Sequence, residues 1–141
     1  MIDIQSKIVD AIYTAVTGQY SGADVTTGYD PKNAVFPCVV VEEVDNVPYR
    51  KGMTDDCAEN YARITYEVSV YTDSENSAKT DGRKILAIVD TALASLKFRR
   101  VRMNRPINID RTIFRQYIRS DVIVSKPVTS GETTVYQMYR R

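Results

Sequence analysis

The sequence contains no histidine. Histidine is the usual general base near neutral pH and the commonest metal ligand, so nucleophile–histidine pairs drop out and metal chemistry loses its main donor. Tryptophan is also absent, and there are two cysteines, Cys38 and Cys57. They form no Cys-x-x-Cys pair, which leaves a zinc reading without support. They read as two reduced thiols, Cys38 buried in a strand and Cys57 in a loop, although spacing alone leaves a disulfide open. Long apolar runs are missing too. The longest, Ala34 to Val41, is broken by Pro37, whereas a membrane span needs about 20 apolar residues. The start, Met1 to Lys7, lacks the basic opening and apolar stretch of a signal peptide, so the sequence predicts a protein made and kept in the cytoplasm. Net charge is +1, so no overall field draws the molecule to nucleic acid or membrane, and any electrostatic role must be local.

What is present fits one ordinary globular domain spanning residues 1–141, with 43% hydrophobic and 26% charged residues. Ile4, Ile8, Ala11, Ile12, Ala15 and Val16 recur at helical spacing and predict a helix over 4–17, closed by Gly18. Residues 18–35 are rich in turn formers and read as a loop with a short strand near Val25. Cys38 to Val44 reads as a strand buried on both faces, and Tyr61 to Tyr71 as an alternating one. The two should form an antiparallel pair joined by a polar loop, Asp45 to Asn60. A long helix over about residues 75–97 follows, capped by Asp73 or Ser74, with Ile85, Ile88, Val89, Ala92, Leu93 and Leu96 as its apolar stripe. Val101 to Met103 reads as a short strand, Pro106 to Asp110 as a turn, Thr112 to Val124 as a long strand and Thr133 to Tyr139 as the last. The predicted class is α+β, a mostly antiparallel sheet of four to five strands with two helices packed on one face. No repeat, low-complexity tract or linker marks a second domain.

Catalytic patterns fail in turn. Neither a phosphate-binding glycine loop nor a dinucleotide fingerprint occurs, and there is no Gly-x-Ser-x-Gly elbow. The acidic groups Glu42-Glu43-Asp45 and Asp55-Asp56-Glu59 lack the spacing of a calcium loop and read as a strand end and a solvated loop. The sequence therefore predicts no enzyme, no cofactor and no metal site.

Charge is nevertheless segregated. From Lys97 to Arg119 eight basic residues meet a single acid, Asp110, for a net +7, while Glu42 to Asn60 carries −4. Arg111, Arg115 and Arg119 are four apart on a predicted strand and so share a face. Three readings compete: a solvated face with cross-strand pairs, for example to Glu67; a phosphate-binding surface; and an interface between copies, basic strip against acidic loop. An acidic block on the same chain favours self-association over nucleic acid. For an interface the candidates are Arg99, Arg100, Arg111, Arg115 and Arg119 on the basic side and Glu42, Glu43, Asp55 and Asp56 on the acidic side. The loop 45–60 adds the contact-capable Val47, Tyr49 and Met53, and its 16 residues exceed what a hairpin needs. It reads as an arm that projects from the sheet and orders on a neighbouring copy or on another partner, with a plain flexible loop as the alternative.

Three segments carry a resemblance. They are Phe36-Pro37-Cys38-Val39-Val40-Val41-Glu42-Glu43 with Asn46; Tyr61 to Tyr71 ahead of a long helix; and Pro106-Ile107-Asn108-Ile109-Asp110-Arg111-Thr112-Ile113-Phe114-Arg115 with Arg119 beyond. In this order and spacing the chain resembles the small tail terminator, or tail completion, proteins of long-tailed bacteriophages. The resemblance implies an α+β subunit that forms a hexameric ring at the head-proximal end of the tail tube. Such a ring stops tube growth and presents a surface to the head connector. It implies no enzyme activity. The partners it implies are the subunit itself, the tail tube protein and the connector, without membrane or sequence-specific nucleic acid. It places the protein in the host cytoplasm during assembly and in the virion tail afterwards. A stopper or adaptor of the head–tail joint is the near alternative, and a nucleic-acid-binding module using the arginine strip the distant one.

Overall fold

The computed structural model describes residues 1–49, 60–73, 77–110, 112–130 and 133–139. The elements run α1 (Gln5–Thr17), β1 (Asp24–Thr26), β2 (Cys38–Pro48), β3 (Tyr61–Asp73), α2 (Ala78–Ser95), β4 (Arg99–Met103), β5 (Ile107–Asp110), β6 (Ile113–Ser125), β7 (Val128–Ser130), β8 (Thr133–Val135) and β9 (Met138–Tyr139). The class is α+β, as the sequence predicts, but the main sheet is larger, with seven strands among the described residues. Its spine is β1-β2-β3-β6-β4, antiparallel except for the short β1–β2 pair. The far side of β6 is lined in succession by β5 at residues 113–115, β4 at 118–121 and β9 at 123–124. Strands β7 and β8 form a separate hairpin.

The sheet exceeds the predicted four to five strands because several short strands are built from residues that favour turns. Ile107-Asn108-Ile109-Asp110 follows a proline and contains Asn and Asp, yet it pairs with β6 and is not a turn. The predicted last strand is split by residues 136 and 137 into β8 and β9. The predicted loop 45–60 begins too early: Asp45 to Pro48 continue β2, and the Tyr49 backbone N–H donates to Tyr61 O at 2.8 Å. Charged side chains at Glu42, Glu43 and Asp45 hide this in the sequence, because an edge strand open to water needs no apolar alternation.

Alternation on β3 builds the core. Ile64, Tyr66, Val68 and Val70 are fully buried. They pack with Ile8, Ile12 and Val16 of α1 and with Ile85, Leu86, Val89 and Leu93 of α2, so both helical stripes join one cluster. Ile88 and Leu96 are half-buried at its border. Inward residues of β6, Ile118, Val122 and Val124, complete it.

The helix ends are set locally. Gly18 closes α1: its N–H donates to Thr14 O at 3.2 Å, and the next N–H, of Gln19, donates to Val16 O at 3.1 Å. Helix α2 starts later than predicted, at Ala78 behind Ser77, whose hydroxyl donates to Asp81 Oδ2 at 2.9 Å. Asp73 is not its cap but the last residue of β3, where it accepts a hydrogen bond from Thr112; Ser74 lies outside the described residues. At the other end Lys97 turns left-handed with φ 72, Lys97 N–H donates to Ala94 O, and Phe98 N–H donates to Leu93 O. These bonds make a Schellman closure that drops Phe98 into the core. Arg99 and Arg100 therefore leave the helix end and begin β4.

Candidate functional site

The sheet face away from the helices is polar because the same alternation that points valines inward points charges outward. Register partners across four strands form a row on this face: Glu42 of β2, Glu67 of β3, Arg119 of β6 and Arg102 of β4. The two central members are joined. Arg119 Nη2 donates to Glu67 Oε2 at 2.7 Å. Arg115, four residues earlier on β6 and on the same face, donates from Nη2 to Glu67 Oε1 at 2.7 Å and to Ser69 Oγ at 3.1 Å. One carboxylate thus holds two guanidiniums, one on each oxygen, and is itself buried. The bond to Glu67 also pushes the Arg119 guanidinium further up from its already high value. Arg115 lies over the Tyr117 ring, 4.8 Å from its centre.

The outer members of the row are placed differently. Glu42 sits opposite Glu67 and Arg102 opposite Arg119, so each faces a like charge across the ladder. A second row runs Asp45, Thr65, Asp121 and Arg99. Here Arg99 approaches the buried Asp121 at 3.7 Å, and Asp45 approaches Arg63 at 3.8 Å. Between the rows both edge strands carry a β-bulge, at Glu43/Asp45 in β2 and at Arg100/Arg102 in β4. The residue displaced is a valine each time, Val44 and Val101, exposed by 43% and 52%. Both valines rim a groove of 410 Å³ across the face, with Arg63, Thr65, Arg119 and Asp121 beneath. Two more exposed apolar side chains, Ile107 and Ile109 at 46% each, continue the β4 side along β5.

The predicted interface residues separate into distinct settings. Arg115 and Arg119 share a face, as their spacing predicts, and the cross-strand pairing with Glu67 that the sequence left open is the arrangement found. Arg99 is on the same face, but Arg100 points to the helix side, where it meets Asp90 of α2 at 3.2 Å. The acidic group divides as well. Glu42 faces outward, whereas Glu43 pairs in register with the inward Tyr66 and accepts from Asn46 Nδ2 at 3.2 Å. Burial pushes the Glu43 carboxyl up, against the opposing effect of the Asn46 bond. Val47 is half-buried opposite Arg63, and Tyr49 is tied by its backbone to Tyr61. Arg111, Met53, Asp55 and Asp56 lie outside the described residues, as does most of the predicted arm.

Sequence reasoning missed Arg102, Val44, Val101 and Asp121. A signal was available: Glu42-Glu43-Val44-Asp45 and Arg99-Arg100-Val101-Arg102 repeat one pattern with opposite sign. Period two alone cannot detect the bulge that puts positions three apart on the same face.

Elsewhere, Tyr29 stacks flat on Tyr71 with ring centres 3.9 Å apart. Cys38 is register partner to Tyr71 and buried, and burial pushes its thiol up to about 11. Among the described residues no group of three histidine, cysteine or carboxylate side chains could hold a metal ion, and no helix is long and apolar enough to cross a membrane. No protein-family model and no curated protein matches the chain.

Proposed function

We propose that the chain is a structural subunit of the tail terminator type. It assembles with copies of itself into a ring, hexameric by the resemblance, which caps the tail tube and offers a surface to the head connector. It works in the host cytoplasm during assembly and in the virion tail afterwards. The observation that carries this reading is the position of four exposed apolar side chains; the other exposed large ones among the described residues are Met1, Tyr13, Val35 and Tyr139. Val44, Val101, Ile107 and Ile109 are all at least 43% exposed, and all lie on strands at the margins of the sheet. Scattered apolar exposure is ordinary, but at strand margins it sits beside backbone groups that no strand among the described residues pairs, and such groups can add another chain.

The arginines support assembly over nucleic-acid binding. Arg115, Arg119, Arg99 and Arg100 each have a carboxylate partner within the subunit. A phosphate backbone would have to displace those partners.

Tail assembly without the chain tests the reading. Tube protein polymerised alone should give tubes of unregulated length, and adding the chain should fix their ends, measured by electron microscopy. Tubes of normal length on heads that fail to join would instead indicate a stopper or adaptor. Tubes indifferent to the chain, with steeply salt-dependent duplex binding, would indicate the nucleic-acid module.

A further inference from the structure

Among the described residues the sheet has two open edges of opposite charge. The outer edge of β2 is covered by β1 only over Cys38 to Val40, and among the described residues no strand pairs with it from Val41 to Pro48. This stretch carries Glu42, Glu43 and Asp45 and no basic residue. On the opposite margin β4 carries Arg99, Arg100 and Arg102 and no acidic residue, and among the described residues its outer edge is likewise without a partner strand. Isolated edge strands are commonly protected by charge and bulges, and both devices are present here. Protection alone is served by one sign on both edges. Opposite signs repel like edges and attract unlike ones.

We infer that the β2 edge of one copy pairs with the β4 edge of the next, head to tail, so that the sheet runs on from subunit to subunit. This rests on the ring reading above and specifies its interface. The row of register partners supplies the main argument. Glu42, Glu67, Arg119 and Arg102 form a line of two negative then two positive charges, and only the central two are joined. Neither Glu42 nor Arg102 has an ion-pair partner among the described residues. Each instead faces a like charge, which a second copy corrects by setting Arg102 beside the neighbour's Glu42.

Strand direction allows this. Three antiparallel steps separate β2 from β4, so the two run in opposite senses. Rotation about a ring axis keeps each strand's sense along that axis, and the contact is therefore an antiparallel ladder. Glu42 and Asp45 share the outer face, as do Arg102 and Arg99, and each pair is three residues apart. A single antiparallel register then sets Glu42 against Arg102 and Asp45 against Arg99. The internal contacts of Asp45 and Arg99, 3.8 and 3.7 Å long, are loose enough to be shared with the neighbour. The bulge valines Val44 and Val101 fall between the two charge pairs and gain apolar contact there. A two-fold dimer is disfavoured, because it sets three like charges against three.

Charge reversal at these two exposed positions tests the inference. Glu42→Arg and Arg102→Glu should each leave circular dichroism unchanged and weaken assembly, free or on tube ends, by roughly tenfold or more. Mixing the two variants in equal amounts should restore it, since each reversed edge then meets its complement. So should the double variant E42R/R102E. If wild-type copies assemble and both single reversals assemble equally well, or if neither the mixture nor the double variant recovers, the edge contact is wrong while the ring reading stands. If wild-type copies assemble neither free nor on tube ends, the ring reading falls and this inference with it.

Discussion

Glu67 lies directly opposite Arg119 on the neighbouring strand, and its Oε2 accepts the Arg119 guanidinium at 2.7 Å while Oε1 takes Arg115. The carboxylate is buried, with the guanidiniums partly in water. Replacing Glu67 by Gln keeps the shape but removes the charge that two cations share. It should cost about 1–2 kcal/mol, the lower part of the range for hydrogen bonds to charged groups because solvent screens both arginines. Urea unfolding in low and high salt measures this, and the difference between wild type and variant should shrink as salt rises.

Gly82 and Gln116 form a close contact between α2 and β6. A Cβ built on Gly82 would come within 2.6 Å of Gln116 Nε2, which donates to Lys79 O at 2.9 Å. Ala normally stabilises a helix by about 1 kcal/mol over Gly. Here Gly82→Ala should destabilise, because it displaces a buried amide from its acceptor. In a Gln116→Ala background the same change should stabilise. A double-mutant cycle by thermal unfolding reads this reversal of sign.

Lys97 holds the left-handed position of the α2 closure, where a side chain is strained. Lys97→Gly should raise stability by roughly 1 kcal/mol, since glycine reaches this conformation without a Cβ clash. An increase in the denaturant midpoint at unchanged slope would show it.

Cys38 gives a pH signature. Its thiol rises from an ordinary 9.0 to about 11 through burial. The folded state therefore keeps a proton that the unfolded chain releases. The associated stability is complete below pH 9 and is lost as pH rises towards 11. In a Cys57→Ser background, Cys38→Ala should flatten that alkaline decline in urea midpoints.

Much of the frame was legible in the sequence because it rests on long periodic stretches. Ile64 to Val70 and Ile85 to Leu93 declare a strand and a helix facing one another, and both enter the core. Arg115 and Arg119 were placed on one face by spacing, and Glu67 was readable as their neighbour. The margins were less legible. Asp45 to Pro48 looks like loop by composition, and Ile107 to Asp110 looks like a turn, because edge strands obey pairing more than burial. The separation of Glu42 from Glu43 follows from the pleat, but the return of Asp45 to the Glu42 face needs the bulge, which depends on the partner strand.

The most direct measurement is cryo-electron microscopy of tail tube ends assembled with the chain. Each capped tube should carry a single closed ring of identical copies at its head-proximal end, with no further tube subunits beyond it. Tube ends that carry no ring, or tubes that continue to grow with the chain present in excess, would contradict it.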